Sequence, residues 1–274
     1  MPNDTCSYSD LMSFAHRLGD ASATTILPYF RNDLAVDIKG PPDAAFDPVT
    51  EGDRAAEATI RGLIEETFPD HAILGEEHGA KHAISSYRWV IDPIDGTRAF
   101  ILGLPTWGTL IGLEIDDVPR IGLMNQPFTG DRFWADGDAA FYRRNTGASR
   151  RISTRASVAL ADALMACTHP DMFSEGVEAS VYQAATQATR SCRLGTDCFG
   201  YALLAAGLID LVIEAHLQPY DIVALIPIIE QAGGVITSWD GGAARHGGRV
   251  VAAANPTLHA QALDLIASVT NAAT

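Results

Sequence analysis

The chain has 274 residues, 34 of them acidic and 19 basic, for a net charge of −15 with histidine neutral. Apolar residues make up 47% and charged residues 19%, a globular composition with volume for a real core and not a disordered one. The acidity argues against nucleic acid or an anionic membrane as partner, because both need a basic surface to replace counterions.

The four cysteines (Cys6, Cys167, Cys192, Cys198) are scattered, with no CxxC and no tight histidine spacing. A reduced thiol set in the cytoplasm is therefore expected, and a zinc framework is not. The first ten residues lack a charged-then-apolar signal pattern, and no apolar run approaches the ~20 residues of a membrane span.

In chain order, Leu11, Phe14, Ala15 and Leu18 predict an amphipathic helix from about Ser7 to Phe30, with Ser7 and Asp10 as its capping box. A Gly40-Pro41-Pro42 break follows, then a helix over Glu51–Phe68 burying Ile60, Leu63, Ile64 and Phe68. Short strands are expected at His71–Leu74 and Trp89–Ile91. Trp107–Ile115 and Arg120–Met124 flank an Asp116-Asp117 hairpin turn, and Arg132–Ala135 and Ala139–Arg143 continue the meander. Asn145-Thr146-Gly147 is the expected boundary, dividing residues 1–145 from 146–274 within one compact catalytic unit. The second half reads as a strand at Leu164–Thr168, helices at Glu175–Thr189 and Thr196–Ala206, and a strand at Ile209–Ile213. A helix over Ile222–Ala232, ended by Gly233-Gly234, precedes strands at Val235–Thr237 and Val250–Ala253 and a last helix from Pro256 to about Ser268. Pro227, past the first turn, predicts a kink or a later helix start. The sum is a layered α/β fold with helices covering both sheets.

The segment Trp89-Val90-Ile91-Asp92-Pro93-Ile94-Asp95-Gly96-Thr97 carries the strongest chemical signal. An apolar strand delivers Asp92, and Pro93 is expected to force the chain out of the sheet. Asp95 follows three residues later, so one turn can aim both carboxylates into the same space, and Gly96-Thr97 offers amides to an anion. Carboxylates alone repel phosphate, whereas carboxylates holding Mg²⁺ bind it, and two such ions ~4 Å apart can stabilise both oxygens of a phosphoryl displacement. The plainer alternative is an Asx-turn at a strand end. Gly75-Glu76-Glu77 places further carboxylates at a strand exit. Asp221 reads either as a helix N-cap or as a metal ligand, and Asp53 either as a first-turn acid or as the partner that orients the Thr97 hydroxyl.

The motifs PVTEGD, LGEE, DPIDGT and YD…EQAGG occur in the same order as in the inositol-monophosphatase-like, magnesium-dependent phosphatases, which the chain resembles over nearly its whole length. That resemblance implies an α-β-α-β-α sandwich of the sugar-phosphatase type, a homodimer, and hydrolysis of small phosphate monoesters with two or three Mg²⁺ ions. It implies Glu76, Asp92, the Ile94 carbonyl, Asp95 and Asp221 as metal ligands, with Glu76, Thr97 and Asp53 as the groups that position the nucleophilic water. Glu51 departs from the pattern, since inositol phosphatases usually carry Lys there.

Leu194–Leu204, Asp210–Glu214 and Arg98–Leu110 are similar to the histidinol-phosphate phosphatase branch. Substrate contacts are accordingly expected at Asp95, Gly96, Thr97, Gly195, Thr196, Asp197, Glu214 and Asp221. Asp197 stands where inositol phosphatases usually have a small residue, and an acid there suits a cationic amino-alcohol. The rival readings are an inositol or sugar phosphate as substrate, and a metal- or phosphate-binding regulatory protein without turnover. His78, His82, His169 and His216 read as surface or supporting groups, and Trp107, Trp134 and Tyr201 as core.

Overall fold

The computed structural model describes residues 6–32, 35–39 and 47–272, and the Gly40-Pro41-Pro42 break lies outside them. Helix α1 (Tyr8–Ile26) begins at the Ser7–Asp10 capping box and buries Leu11, Phe14, Ala15 and Leu18 along one stripe. It ends before Phe30. Strands β1 (Val36–Ile38) and β2 (Pro48–Thr50) form a two-stranded ribbon leading into α2 (Glu51–Thr67), whose first amides Thr50 caps.

The first large sheet comprises β3 (Ala72–Gly75), β4 (Gly79–Lys81), β5 (Tyr87–Asp95), β6 (Gly108–Ile115), β7 (Val118–Gln126), β8 (Asp131–Ala135), β9 (Ala140–Arg144) and β10 (Arg150–Arg151). The short helix α3 (Thr97–Ile101) leaves it after β5. The strand order is β10-β9-β8-β7-β6-β5-β3-β4, antiparallel except where β3 lies parallel to β5. The sheet continues past the expected Asn145 boundary to Arg151. The second half supplies β11 (Leu164–Cys167), α4 (Val177–Ala188), β12 (Ser191–Leu194), α5 (Asp197–Ala205), β13 (Leu211–Leu217), α6 (Pro219–Ile222), α7 (Leu225–Gln231), β14 (Val235–Ser238), β15 (Gly248–Ala253) and α8 (Pro256–Ala272). Its sheet runs β12-β11-β13-β15-β14, with the first three strands parallel.

Five layers result. Helices α1 and α2 cover the outer face of the first sheet, α5 to α7 fill the space between the sheets, and α4 and α8 cover the second sheet. Because the large sheet is covered on both faces, β6 is buried at nearly every position instead of alternating. A close approach explains Gly122, where an added Cβ would lie 1.9 Å from the Ala224 carbonyl oxygen. That contact also marks where the expected helix over Ile222–Ala232 divides, into α6 and an α7 that starts at Leu225 with Pro227 in its first turn. No helix among the described residues is long and apolar enough to cross a membrane.

Pro93 does not end β5. Pairing to β6 breaks after Asp92–Leu110 and resumes at Asp95–Gly108, so the proline sits in an irregularity that the strand passes through. The structure also contains strands that the periodicity does not show: β1, β2, β4, β10 and β12, all short and, apart from the buried β2, mostly exposed.

Candidate active site

Two elements, one from each half, deliver three carboxylates to one place. Asp92, on β5, accepts a hydrogen bond from the Ile94 amide at 3.0 Å, forming the Asx-turn that was the plainer alternative. Asp95 leaves the same irregularity and accepts from the Cys198 amide of α5 at 2.8 Å. Asp221 is the third residue of α6, not its N-cap, and accepts from the Gln218 amide at 2.7 Å. Backbone amides thus orient all three acids without neutralising them. One ligand oxygen from each lies within 4.8 Å of the others.

These acids line a cavity of about 210 Å³ together with Asp47, Glu76, Asp197 and Glu214, and with Ile94, Gly96, Thr97, Arg98, Thr168 and Tyr201. Burial, followed by the charges of Glu76, Asp95 and Asp221, holds the Asp92 carboxyl well above the usual carboxylate range. Burial and the charges of Asp221 and Asp197 do the same for Asp95. Asp221 is pushed up to about 8, by burial first and by Glu76 and Glu214 against the relief of the Gln218 amide. A cluster whose members all resist ionisation is one that a cation stabilises. With oxygen as the donor type, the set fits a hard divalent cation.

Glu76 follows β3, and its amide is held to the Ile91 carbonyl of β5 at 3.3 Å. Its Oε1 accepts from Lys39 Nζ at 2.8 Å, and the same ammonium donates to Glu77 Oε1 at 2.6 Å. The turn beyond is fixed by Glu57, fully buried on α2, which accepts from the Glu77 amide at 2.6 Å and the His78 amide at 3.1 Å. Neither Lys39 nor Glu57 stands out by motif. Glu57 does carry a signal, since an acid on the Asp53–Ala56–Ile60–Ile64 stripe of α2 occupies a core position.

Thr97 opens α3 after Gly96, whose φ of +85° is the left-handed conformation that glycine adopts freely. The Thr97 hydroxyl lies 3.3 Å from Asp53 Oδ1 and 3.1 Å from the Ile94 carbonyl, and can donate to one of them at a time. Asp53 is fully buried, and its other oxygen accepts from the Thr50 amide at 2.8 Å and the Thr50 hydroxyl at 2.5 Å. It stands behind Thr97 and does not line the cavity.

Asp197, the first residue of α5, has φ of +46° and uses its side chain away from its own helix, accepting from Thr106 Oγ1 at 3.0 Å. A Cβ on Gly96 would meet the Asp197 Cβ and Cγ at 3.0 Å, so the carboxyl rests against the DPIDGT turn. Burial raises its pKa, against the Thr106 hydrogen bond and the charge of Arg98. Glu214 on β13 is buried, with Oε1 accepting from the Thr168 amide at 2.7 Å and Oε2 from the Tyr201 hydroxyl at 2.8 Å. Burial pushes it up to about 7. Tyr201 is therefore core, as expected, but also orients a cavity acid.

Gly195 and Thr196, expected at the substrate, do not line the cavity. The positive φ of Gly195 turns the chain there, and Thr196 packs its Oγ1 over Gly200, buried without a hydrogen-bond partner. None of the eight histidines lines the cavity; His216 instead meets Glu178 and Ser174, each at 2.9 Å. Glu51 is an exposed first-turn acid of α2.

Comparison with known proteins agrees with this geometry. The model of the inositol monophosphatase family matches residues 7–272. The chain is 41% identical to a chloroplastic bifunctional phosphatase (IMPL2) of Arabidopsis thaliana, over 90% of this chain and 72% of that one. It is 33% identical to a histidinol-phosphatase of Mycobacterium tuberculosis, over 94% and 97%. Among solved structures, an inositol monophosphatase from Zymomonas mobilis superposes with a TM-score of 0.83 at 36% identity, covering 96% of this chain and 99% of that one.

Proposed function

The chain belongs to the inositol monophosphatase family of phosphoric monoester hydrolases, and from that premise we propose that it hydrolyses L-histidinol phosphate to L-histidinol and phosphate, in histidine biosynthesis in the cytoplasm. The observation that carries the reading is Asp197, a carboxylate held in the same cavity as the acidic cluster by Thr106 and Gly96. An amino-alcohol phosphate presents an anionic end and a cationic end, and this cavity has a place for each. Named histidinol-phosphatases among the relatives support the same substrate.

Two or three Mg²⁺ ions held by Glu76, Asp92, the Ile94 carbonyl, Asp95 and Asp221 would supply the positive charge that offsets the phosphoryl oxygens. The chain does the positioning. Glu76, fixed at one oxygen by Lys39, orients the attacking water from one side. When the Thr97 hydroxyl proton turns to Asp53, the hydroxyl oxygen is free to accept a hydrogen bond from that water and so orient it, and buried Asp53 cannot swing away because Thr50 holds its other oxygen. Gly96 and Thr97, which line the cavity, would offer their amides to the phosphoryl group. Asp197 and Glu214 hold the ammonium and imidazole of the organic half by charge-assisted hydrogen bonds. Catalysis is then orientation and electrostatics, as phosphoryl transfer requires.

A substrate panel with Mg²⁺ present tests this. Turnover of histidinol phosphate should exceed that of inositol phosphate, and Asp197→Ala should reduce kcat/KM on histidinol phosphate by about 10–100-fold, one to two decades being the worth of a charged contact. Equal losses on both esters, or a preference for inositol phosphate, would sink the assignment. The homodimer belongs to the same proposal. Leu102 and Leu104 are exposed on either side of Gly103, whose carbonyl binds Arg31, and Arg31 in turn covers the exposed Phe128. Light scattering at twice the chain mass is the expected result.

A further inference from the structure

A second polar cleft lies away from the acidic cavity, between α1 and strands β7 to β9. Its volume is about 450 Å³, and its lining includes Asp20, Asn125, Arg132, Arg143 and Asn145. Strand register places Asn125 opposite Arg132, and Arg132 opposite Arg143, so three polar side chains form a row across three strands. Two like charges directly opposite on a sheet repel. Arg132 is buried and fully engaged: Nε donates to Asn125 Oδ1 at 2.8 Å, Nη2 to Asp20 Oδ1 at 2.6 Å, and Nη1 lies 3.3 Å from His16 Nδ1.

Arg143 is held more loosely, by an aromatic ring and no carboxylate. Its Nε is buried without a hydrogen-bond partner, and among the described residues no carboxylate pairs with its guanidinium, which lies 6.0 Å from the Trp134 ring centroid. His16 adds no further positive charge, since burial and both arginines push it down to about 4 and keep it neutral near pH 7. The lining thus holds two guanidiniums against one carboxylate, on a chain whose overall charge is −15. Arg132 has its carboxylate in Asp20, so the excess positive charge of the lining is that of Arg143.

We propose that this cleft binds a small oxyanion, gripped through the Arg143 guanidinium beside the Arg132–Asn125 pair. Phosphate and carboxylate share the two-oxygen edge that a guanidinium fork recognises, so both chemistries are probed. The site is independent of the catalytic reading, because none of its residues lines the acidic cavity.

Isothermal titration of the full chain in EDTA, with inorganic phosphate in one arm and succinate in the other, tests it. Without divalent cations the acidic cavity repels anions and contributes no binding. One saturable site for at least one anion is expected, and the stronger arm identifies the chemistry. Arg143→Gln should weaken binding about tenfold or more, Asp20→Asn should tighten it several-fold by removing the competing carboxylate, and Asp95→Asn should leave it unchanged. The tightening in Asp20→Asn cannot arise from misfolding. No saturable binding of either anion, unaltered binding in Arg143→Gln, weaker binding in Asp20→Asn, or loss in Asp95→Asn would each overturn the proposal.

Discussion

Buried carboxylates occur in two kinds of place in this molecule, and they are provided for differently. Asp210 is fully buried and meets the Arg155 guanidinium, with the Leu164 amide at 2.7 Å. Glu114, equally buried, lies against Arg88 at 2.5 Å and Arg245 at 3.1 Å. Each of these acids has a guanidinium and is finished as a structural unit, joining segments far apart in the chain. Asp92, Asp95 and Asp221 are held by backbone amides, which orient an acid but carry no full charge, and among the described residues none of the three has a guanidinium against it. Residue type is the same in both groups, and Asp92 is as deeply buried as Asp210 and Glu114, although Asp95 and Asp221 are only partly buried. What separates structure from chemistry is the missing counter-charge, and it can be read only after the fold has brought the acids together.

The largest expected effect follows from the unfinished group. Asp95→Asn keeps the shape and an acceptor for the Cys198 amide but removes a charge the cation needs, so kcat/KM should fall about a thousandfold or more, roughly 4 kcal/mol of transition-state stabilisation. Its thermal stability without metal should hold or rise, since one of several repelling charges is gone. A drop below tenfold would make Asp95 an ordinary buried acid. The finished group should behave in the opposite way. Asp210→Ala strands Arg155 and the Leu164 amide, and breaking such a pair costs about 3 kcal/mol of stability, while the kcat of the folded fraction stays near that of the parent. Denaturant melts beside active-site-titrated turnover separate the two outcomes.

Legibility in the sequence divides along the same line. Asp92 and Asp95 were visible because three residues and a proline confine them to one turn, whereas Glu76, after one apolar run, and Asp221, before another, were singled out as metal ligands by the family resemblance. The layered fold followed from helix stripes and from strands buried on both faces. Lys39 and Thr106 were not legible: each meets its acid across a long stretch of chain, 37 residues for Lys39 and 91 for Thr106, and nothing local marks it. Strand β12 escaped because its side chains are mostly exposed, which leaves no alternation to read. Gly195 and Thr196 were expected at the substrate from the resemblance of Leu194–Leu204 to the histidinol-phosphate phosphatase branch; of that stretch the cavity is lined by Asp197, Cys198 and Tyr201, and the positive φ of Gly195 and Asp197 turns the chain around Thr196.

The pH dependence sharpens the contrast further. The folded-state pKa of Asp221, pushed up to about 8 from 3.8, means that the metal-free native state binds a proton more tightly than the unfolded chain. That contribution to stability is fully present below the unfolded pKa and is lost as pH rises through the folded one. Metal-free protein should therefore lose melting temperature between about pH 5 and pH 8 relative to Asp221→Asn. Added Mg²⁺, which binds the ionised acids, should raise the melting temperature more at pH 8 than at pH 5. Parallel pH profiles for parent and variant would show that Asp221 is not in the unfinished group.

The smallest effect tests where the two groups meet, at Lys39. It gives Glu76 and its neighbour Glu77 a counter-charge, with an ammonium nitrogen at 2.8 and 2.6 Å, yet it stands at the edge of a cluster meant for cations. Its ammonium is held well above the usual range: burial alone would lower it, and the charges and hydrogen bonds of Glu76 and Glu77 outweigh burial. Lys39→Met should act in two directions. Losing the anchor on Glu76 lowers kcat by about tenfold, about 1.4 kcal/mol. Removing a positive charge near the cluster tightens divalent-cation binding, and about 1 kcal/mol of relieved repulsion, a magnitude typical of charges separated by partly screened protein, gives roughly fivefold. Mn²⁺ titration followed by electron paramagnetic resonance reads the second effect without turnover. If cation affinity falls together with kcat, Lys39 acts as a structural partner like Arg155, and the boundary between the two groups of acids runs on the other side of Glu76.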